Sequence, residues 1–177
     1  MSKTCCFTGH RPHSLGFSEK SNQCEILKTN LEKEIIYLVE EENVTNFISG
    51  MAIGVDTYAA EIILELKKHY HIYLECALPC ETQASKWNEV DRNRYYDVLK
   101  HCDKVTLLQK RYTADCMMNR NKYMVDNSDF IIAVWNGKPS GTGNTVRYAK
   151  LNNKKNRDDK TVKYKIYSFL CCGVDKY

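Results

Sequence analysis

The segment Ser49-Gly50-Met51-Ala52-Ile53-Gly54-Val55-Asp56 combines residue types that hold an anion with main-chain atoms. Gly50 and Gly54 let the backbone come close to a ligand, Ser49 or the following Thr57 can donate a hydroxyl, and Met51 lies between them. Asp56 stands where a helix begins, so it either caps that helix or accepts from a ribose hydroxyl. The apolar run Val44 to Ile48 precedes the segment and the helical-looking Thr57 to His69 follows it. A strand, a glycine turn and a helix start are what bring bare N–H groups against a phosphate.

Two further glycine turns follow strand-like runs. Thr8-Gly9-His10-Arg11-Pro12 offers a tight turn at Gly9, and Arg11 carries a planar fork of donors suited to phosphate or carboxylate. His10 and Arg11 read equally as ordinary loop residues. The third turn runs from Trp135 to Thr145 and holds Asn136, Gly137, Ser140, Gly141, Thr142, Gly143, Asn144 and Thr145 before a helix. By composition it is a phosphate cradle. It is not a P-loop, since the lysine of that motif is absent, and no G-x-G-x-x-G fingerprint occurs at the first turn.

Three side chains complete the candidate chemistry. Glu81, in the loop Leu78 to Gln83, suits a general base or a ribose acceptor, and equally a helix-start carboxylate stabilised by the macrodipole. Arg120 sits early in a helical segment, sharing a face with Met124, and needs a partner: Asp56, Glu81 or a ligand phosphate. With no evident nucleophile, Glu81 and Asp56 are the candidate catalytic carboxylates. Arg92, Arg94, Tyr95 and Tyr96 interleave cations with aromatics as single-strand binders do, and an exposed helix face explains them as well.

Composition sets the limits. The 177 residues suffice for one domain with a sizeable core, spanning 1–177, and 43% apolar content supplies that core. A net charge of +4 is too small to mark a nucleic-acid surface, and much of it falls in Asn152 to Lys165, which reads as a solvated loop. Nine cysteines, with no secretion signal at the start, imply reduced thiols and a cytoplasmic setting. Cys171 and Cys172 are adjacent, and Cys76, Cys80, His101 and Cys102 fit no zinc spacing, so neither a metal nor a cofactor is expected. No run approaches the length of a membrane span.

Elements must position these loops. β-branched apolar runs at Thr4–Thr8, Asn46–Ser49, His71–Leu78, Lys104–Leu108, Asp129–Val134 and Lys163–Phe169 alternate with helical segments at about Asn22–Glu42, Ala59–Lys68, Ala84–His101, Asp115–Asn127 and Gly143–Leu151. Ile26, Leu31, Ile35, Leu38 and Val39 form the apolar stripe of the first helix. The alternation predicts an α/β Rossmann-like three-layer α/β/α sandwich with a mainly parallel sheet, and a ligand site beyond the carboxyl ends of its strands.

Phe7 to Pro12, Ser49 to Asp56, Arg120-Asn121 to Asp126, and Gly141 to Thr145 together resemble the SLOG superfamily, which joins DprA/Smf proteins to the LOG phosphoribohydrolases. They are most similar to its stand-alone YpsA/YoqJ-like branch. The second block is close to the DprA signature S-G-x-A-x-G-[IV]-D. The resemblance implies a pocket for a nucleotide or nucleotide derivative, and members that dimerise or form tetramers. LOG enzymes cleave the N-glycosidic bond of nucleoside monophosphates with M-x-x-R-K and P-G-G-x-G-T-x-x-E motifs. Here Met117-x-x-Arg120-Asn121 keeps the arginine and loses the lysine. Thr145, or Arg147 in the alternative register, stands at the glutamate position.

Without that carboxylate, developing charge at the sugar carbon lacks a stabiliser and water lacks a base. The first expectation is therefore binding of a nucleotide-derived small molecule such as ADP-ribose, NAD, a cyclic ADP-ribose-like ligand or a nucleoside phosphate. A LOG-like phosphoribohydrolase and a DprA-like single-stranded DNA binder are the alternatives. Homo-oligomerisation is expected, while nucleic-acid and membrane partners are not.

Overall fold

The computed structural model describes residues 2–155 and 163–167. Six strands, β1 (Lys3–Gly9), β2 (Val44–Ser49), β3 (Tyr73–Leu78), β4 (Lys104–Leu107), β5 (Phe130–Val134) and β6 (Lys163–Tyr167), alternate with five helices. The helices are α1 (Asn22–Glu42), α2 (Val55–Leu66), α3 (Glu89–His101), α4 (Cys116–Asp126) and α5 (Gly141–Lys155), and a short 3-10 turn spans Pro12–Leu15. The strands form one sheet in the order β4-β3-β2-β1-β5-β6, and every neighbouring pair is parallel.

The chain winds from β1 outward to β4, then crosses back to place β5 on the other side of β1. Right-handed crossovers put α1, α2 and α3 on one face and α4 and α5 on the other. Side chains sort accordingly. Cys5, Phe7, Phe47, Leu74 and Cys76 pack beneath the first three helices, whereas Cys6, Ile48, Ala77 and Ile131 pack beneath α4 and α5 with Met124 and Ala149. Strand residues buried on both faces explain why these segments read as continuous apolar runs. The strand order reverses between β1 and β5, so their carboxyl ends open the crevice where an α/β sheet receives ligands.

Capping sets the helix boundaries. Ser21 Oγ accepts from Cys24 N at 3.2 Å, and Asn43 ends α1 in the left-handed region at φ 58°. Inside α1 the buried stripe is Cys24, Leu27, Leu31, Ile35 and Leu38; Ile26, predicted to face inward, is half exposed because the 3.6-residue period favours Leu27. α3 starts at Glu89 rather than Ala84, since Asn88 Oδ1 takes the Asp91 amide at 2.9 Å. Residues 80–87 instead form successive i to i+3 turns. The solvated loop predicted from Asn152 to Lys165 is shortened at both ends by α5 and β6. Residues 156–162, Ser168, Phe169, Cys171 and Cys172 lie outside the described residues.

Gly9 marks a close approach between layers. A Cβ there would lie 2.5 to 2.8 Å from the Val55 side chain at the start of α2. Gly9→Ala is expected to destabilise the fold by about 1–3 kcal/mol through overpacking. In urea denaturation the Gly9→Ala/Val55→Ala pair should lose less than the sum of its single variants, by roughly 0.5–3 kcal/mol; strict additivity would show that the two sites do not collide.

Candidate functional site

The loops that follow β1, β2 and β5 share one rim of the sheet. After β1, the His10 amide donates to Val134 O at 3.2 Å, which joins the β1 and β5 loops at the switch point. The buried His10 ring places Nε2 3.0 Å from Asn136 Oδ1. Asn136 Nδ2 donates to Ser14 O at 3.1 Å, and its Oδ1 also accepts the Lys138 amide at 3.1 Å. That oxygen is thus an acceptor, so His10 Nε2 carries the proton, and in the tautomer that this bond selects Nδ1 is the acceptor. Arg11 beside it is exposed.

The loop after β2 is built from its own polar groups. Ser49 Oγ donates to Asp56 O at 2.8 Å and accepts from Met51 N at 3.1 Å. Asp56 Oδ2 accepts from Ala52 N at 3.4 Å, and Thr57 Oγ1 donates to Ala52 O at 2.9 Å. Met51 is buried with φ 54°, and Gly54 has φ 102°. A β-carbon at Met51 is costly in that region and the Ser49 bond holds it there. Two amides expected to face a phosphate are therefore occupied by Ser49 and Asp56.

Arg120 closes the loop from α4. Its guanidinium Nη1 donates to Gly50 O and lies 3.7 Å from Asp56 Oδ2, with both side chains almost fully buried. Of the partners open to Arg120 from sequence, the structure supplies Asp56. A Cβ at Gly50 would overlap the guanidinium and fall 2.8 Å from Asp56 Oδ2, so only glycine fits. Burial pushes Asp56 up to about 6, against the opposing pull of Arg120 and the Ala52 amide. Burial also lowers the Arg120 pKa, against the opposing pull of Asp56. Gln83 is a site residue that sequence reasoning missed: its Nε2 donates to Gly50 O at 3.1 Å and Met51 O at 2.9 Å. An amide two residues past Glu81 in a loop carries no signal of that long-range role.

The third turn meets the others at the start of α5. Ser140 Oγ caps Gly143 N at 3.0 Å, and Asn144 N donates to Ser140 O at 2.9 Å. The amides of Gly141 and Thr142 belong to the open first turn of α5. Space above Gly137 and Gly141 is clear within 4 Å of a built Cβ, whereas one at Gly143 would sit 3.1 Å from the Trp135 ring. Asn144 is exposed. Arg120 Nε donates to Asn121 Oδ1 at 2.8 Å, Asn121 Nδ2 to Thr145 Oγ1 at 2.8 Å, and Thr145 Oγ1 to Gly141 O at 3.0 Å. A continuous polar chain thus runs from Asp56 to the first residue of α5.

Glu81 stands apart from that chain. It is exposed, and its amide donates to Lys110 O at 3.2 Å, joining the loops after β3 and β4. The stripe of Arg92 to Tyr96 does not form an open binding face. Arg94 grips Glu61 with two bonds of 2.7 Å and Glu19 with one of 2.5 Å, and Tyr95 is buried against Trp87. Among the described residues no three His, Cys, Asp or Glu side chains group as a metal site, and no helix is long and apolar enough to cross a membrane.

A six-stranded parallel sheet between two helical layers, with glycine loops converging at its switch point, defines a Rossmann-like protein of the three-layer α/β/α class. Within that class the chain belongs to the YspA SLOG family, whose family model matches residues 5–168. It is 33% identical over 153 residues to the UPF0398 protein BH1768 of Halalkalibacterium halodurans, covering 84% of this chain and 80% of that one. It is 33% identical over 137 residues to the SPbeta prophage-derived protein YoqJ of Bacillus subtilis, covering 70% and 80%. Among solved structures it resembles DNA processing protein A (DprA) from Streptococcus pneumoniae, with a TM-score of 0.57, 18% identity and 85% coverage. The chain spans 47% of that DprA chain, and the likeness is one of fold.

Arg120→Ala should unfold the chain at lower urea concentration. It leaves Asp56 as a lone buried charge, a loss of about 3–5 kcal/mol at pH near 8. Because the folded pKa of Asp56, about 6, exceeds the unfolded carboxylate value of roughly 3.9, protonation favours the native state. The Asp56 contribution is fully present below the unfolded value and lost as pH rises through about 6. The gap between wild type and variant should therefore narrow from pH 8 toward pH 5; a constant gap would refute the assignment.

Proposed function

We propose that this chain binds a nucleotide-derived small molecule, of the ADP-ribose, NAD, cyclic ADP-ribose or nucleoside phosphate class, at the carboxyl rim of the sheet. The anionic group meets the Gly141 and Thr142 amides at the start of α5, where clear space above Gly137 and Gly141 leaves the approach open. The His10–Asn136 pair lies at the neighbouring switch point, with Nδ1 of His10 able to accept from a ribose hydroxyl or base. Gly9, Ser49, Gly50, Met51, Gly54, Asp56 and Ser140 form the supporting wall, and Gly143, Asn144 and Thr145 the first turns of α5. Exposed Arg11, Lys110, Arg111 and Lys138 bias this rim toward an anion.

One observation carries binding over cleavage. Asn121, at the lysine position of the LOG M-x-x-R-K motif, and Thr145, at the glutamate position when Gly141-Thr142 is aligned with the motif's G-T, hydrogen-bond to each other at 2.8 Å. A neutral pair stands where hydrolysis needs a carboxylate, and the nearby Asp56 is sealed against Arg120. The seven described cysteines are all free thiols, which supports a reducing, cytoplasmic setting. Homo-oligomerisation belongs to the same proposal and is read by light scattering.

Isothermal titration with ADP-ribose, NAD, cyclic ADP-ribose and nucleoside monophosphates should give saturable binding to one of them. His10→Ala or Asn136→Ala should weaken it about three- to tenfold. No saturation with any of these ligands removes the proposal. Glu81, exposed at the same rim, keeps a hydrolytic reading testable: free base released from nucleoside monophosphates and abolished by Glu81→Gln would favour that reading instead.

A further inference from the structure

An open cleft of about 660 Å³ lies at the opposite rim, lined by residues that include Thr4, Asn46, Glu75, Lys104, Tyr123 and Asn127. Its origin is topological. Three helices cover one face of the sheet and two cover the other, so among the described residues the amino-terminal halves of β2, β3 and β4 are roofed there by the last turn of α4. Strand alternation places Thr4 with Cys6, Asn46 with Ile48, and Glu75 with Ala77 on this face. Register aligns Thr4 with Asn46, Asn46 with Tyr73, and Glu75 with Lys104. A polar row therefore crosses central strands at positions that a parallel sheet ordinarily fills with apolar side chains.

The row is built around one fixed carboxylate. Glu75 Oε1 accepts from Tyr123 OH and Thr106 Oγ1, both at 2.7 Å, and Oε2 from Lys104 Nζ at 3.0 Å. Burial alone would raise its pKa, but these bonds outweigh that and hold the carboxyl below its usual range. Asn46 beside it is half-buried, and among the described residues its Nδ2 reaches only Thr45 Oγ1, at 3.4 Å. A carboxamide on a central strand with so little protein bonding needs water or a ligand. Tyr73, 43% exposed, adds an apolar ring.

Charge narrows the ligand. Glu75 is matched by Lys104, and Asp103 by Lys67 at 2.6 Å, so no surplus cation awaits a phosphate. We propose that this cleft is a second binding site, independent of the carboxyl rim, for a neutral ligand bearing vicinal hydroxyls, a free pentose or the ribose of a nucleoside. Glu75 and the Asn46 carboxamide accept from and donate to the adjacent hydroxyls, and Tyr73 covers the C–H face of the ring. Asn46 is the residue whose presence sheet packing does not explain.

Saturation-transfer NMR with methyl β-ribofuranoside, adenosine and 2′-deoxyadenosine tests the site. Transfer is expected to adenosine, with 2′-deoxyadenosine about three- to tenfold weaker. Equal transfer to the riboside assigns the sugar alone, and its absence from the riboside assigns the nucleoside. Asn46→Val should abolish this binding while the melting temperature stays the same or rises, and Glu75→Gln should weaken it. His10→Ala should leave it intact, which separates this site from the carboxyl rim. No transfer to either ribose probe, transfer that survives Asn46→Val, or transfer lost in His10→Ala overturns the inference.

Discussion

The buried pair of Asp56 and Arg120 is the constraint on which the carboxyl rim depends. It brings the first turn of α2, the Gly50 carbonyl and the middle of α4 to one point. Burying two charges is costly, and neither the Ala52 amide nor the Gly50 carbonyl fully replaces the water that each has lost. The cost is tolerated because each group has a fixed partner in a dry site. The same geometry explains why Gly50 admits no side chain and why Ser49 and Gln83 hold the adjoining backbone.

From that pair a polar chain continues through Asn121 and Thr145 to Gly141. Each link is neutral beyond Arg120, so the chain fixes α4 against α5 without placing an accessible carboxylate at the rim. Helix-start amides suit an anion better than they activate water, which is the physical basis of the proposed binding role. In the β2 loop, whose glycines predict a close approach to phosphate, the Met51 and Ala52 amides are already engaged by Ser49 and Asp56. In the proposed binding mode the cradle is the start of α5, where the Gly141 and Thr142 amides belong to an open first turn.

The uneven helical cover gives the sheet two different rims. Loops and helix starts converge at the carboxyl ends, whereas at the amino ends polar strand residues beneath the last turn of α4 face a cleft. This asymmetry follows from the strand order: three crossovers run one way from β1 and the remainder the other.

The amino-acid sequence by itself determined the number and order of the elements, because runs buried on both faces and helical periods are local patterns. The Asn22–Glu42 helix is an instance, and the glycine turns were equally legible. Its own logic could leave Ile26 and Leu27 in doubt, since one residue of rotation separates the two stripes. The partner of Arg120 lay among three alternatives, and the role of Gln83 was invisible. Arg94, which by spacing fits either a strand-binding or a plain exposed helix face, is held by Glu61 and Glu19. Tertiary structure alone decided these matters, because burial and pairing arise between residues tens of positions apart. Spacing along a chain records which groups are present, and only packing determines which of them water can still reach.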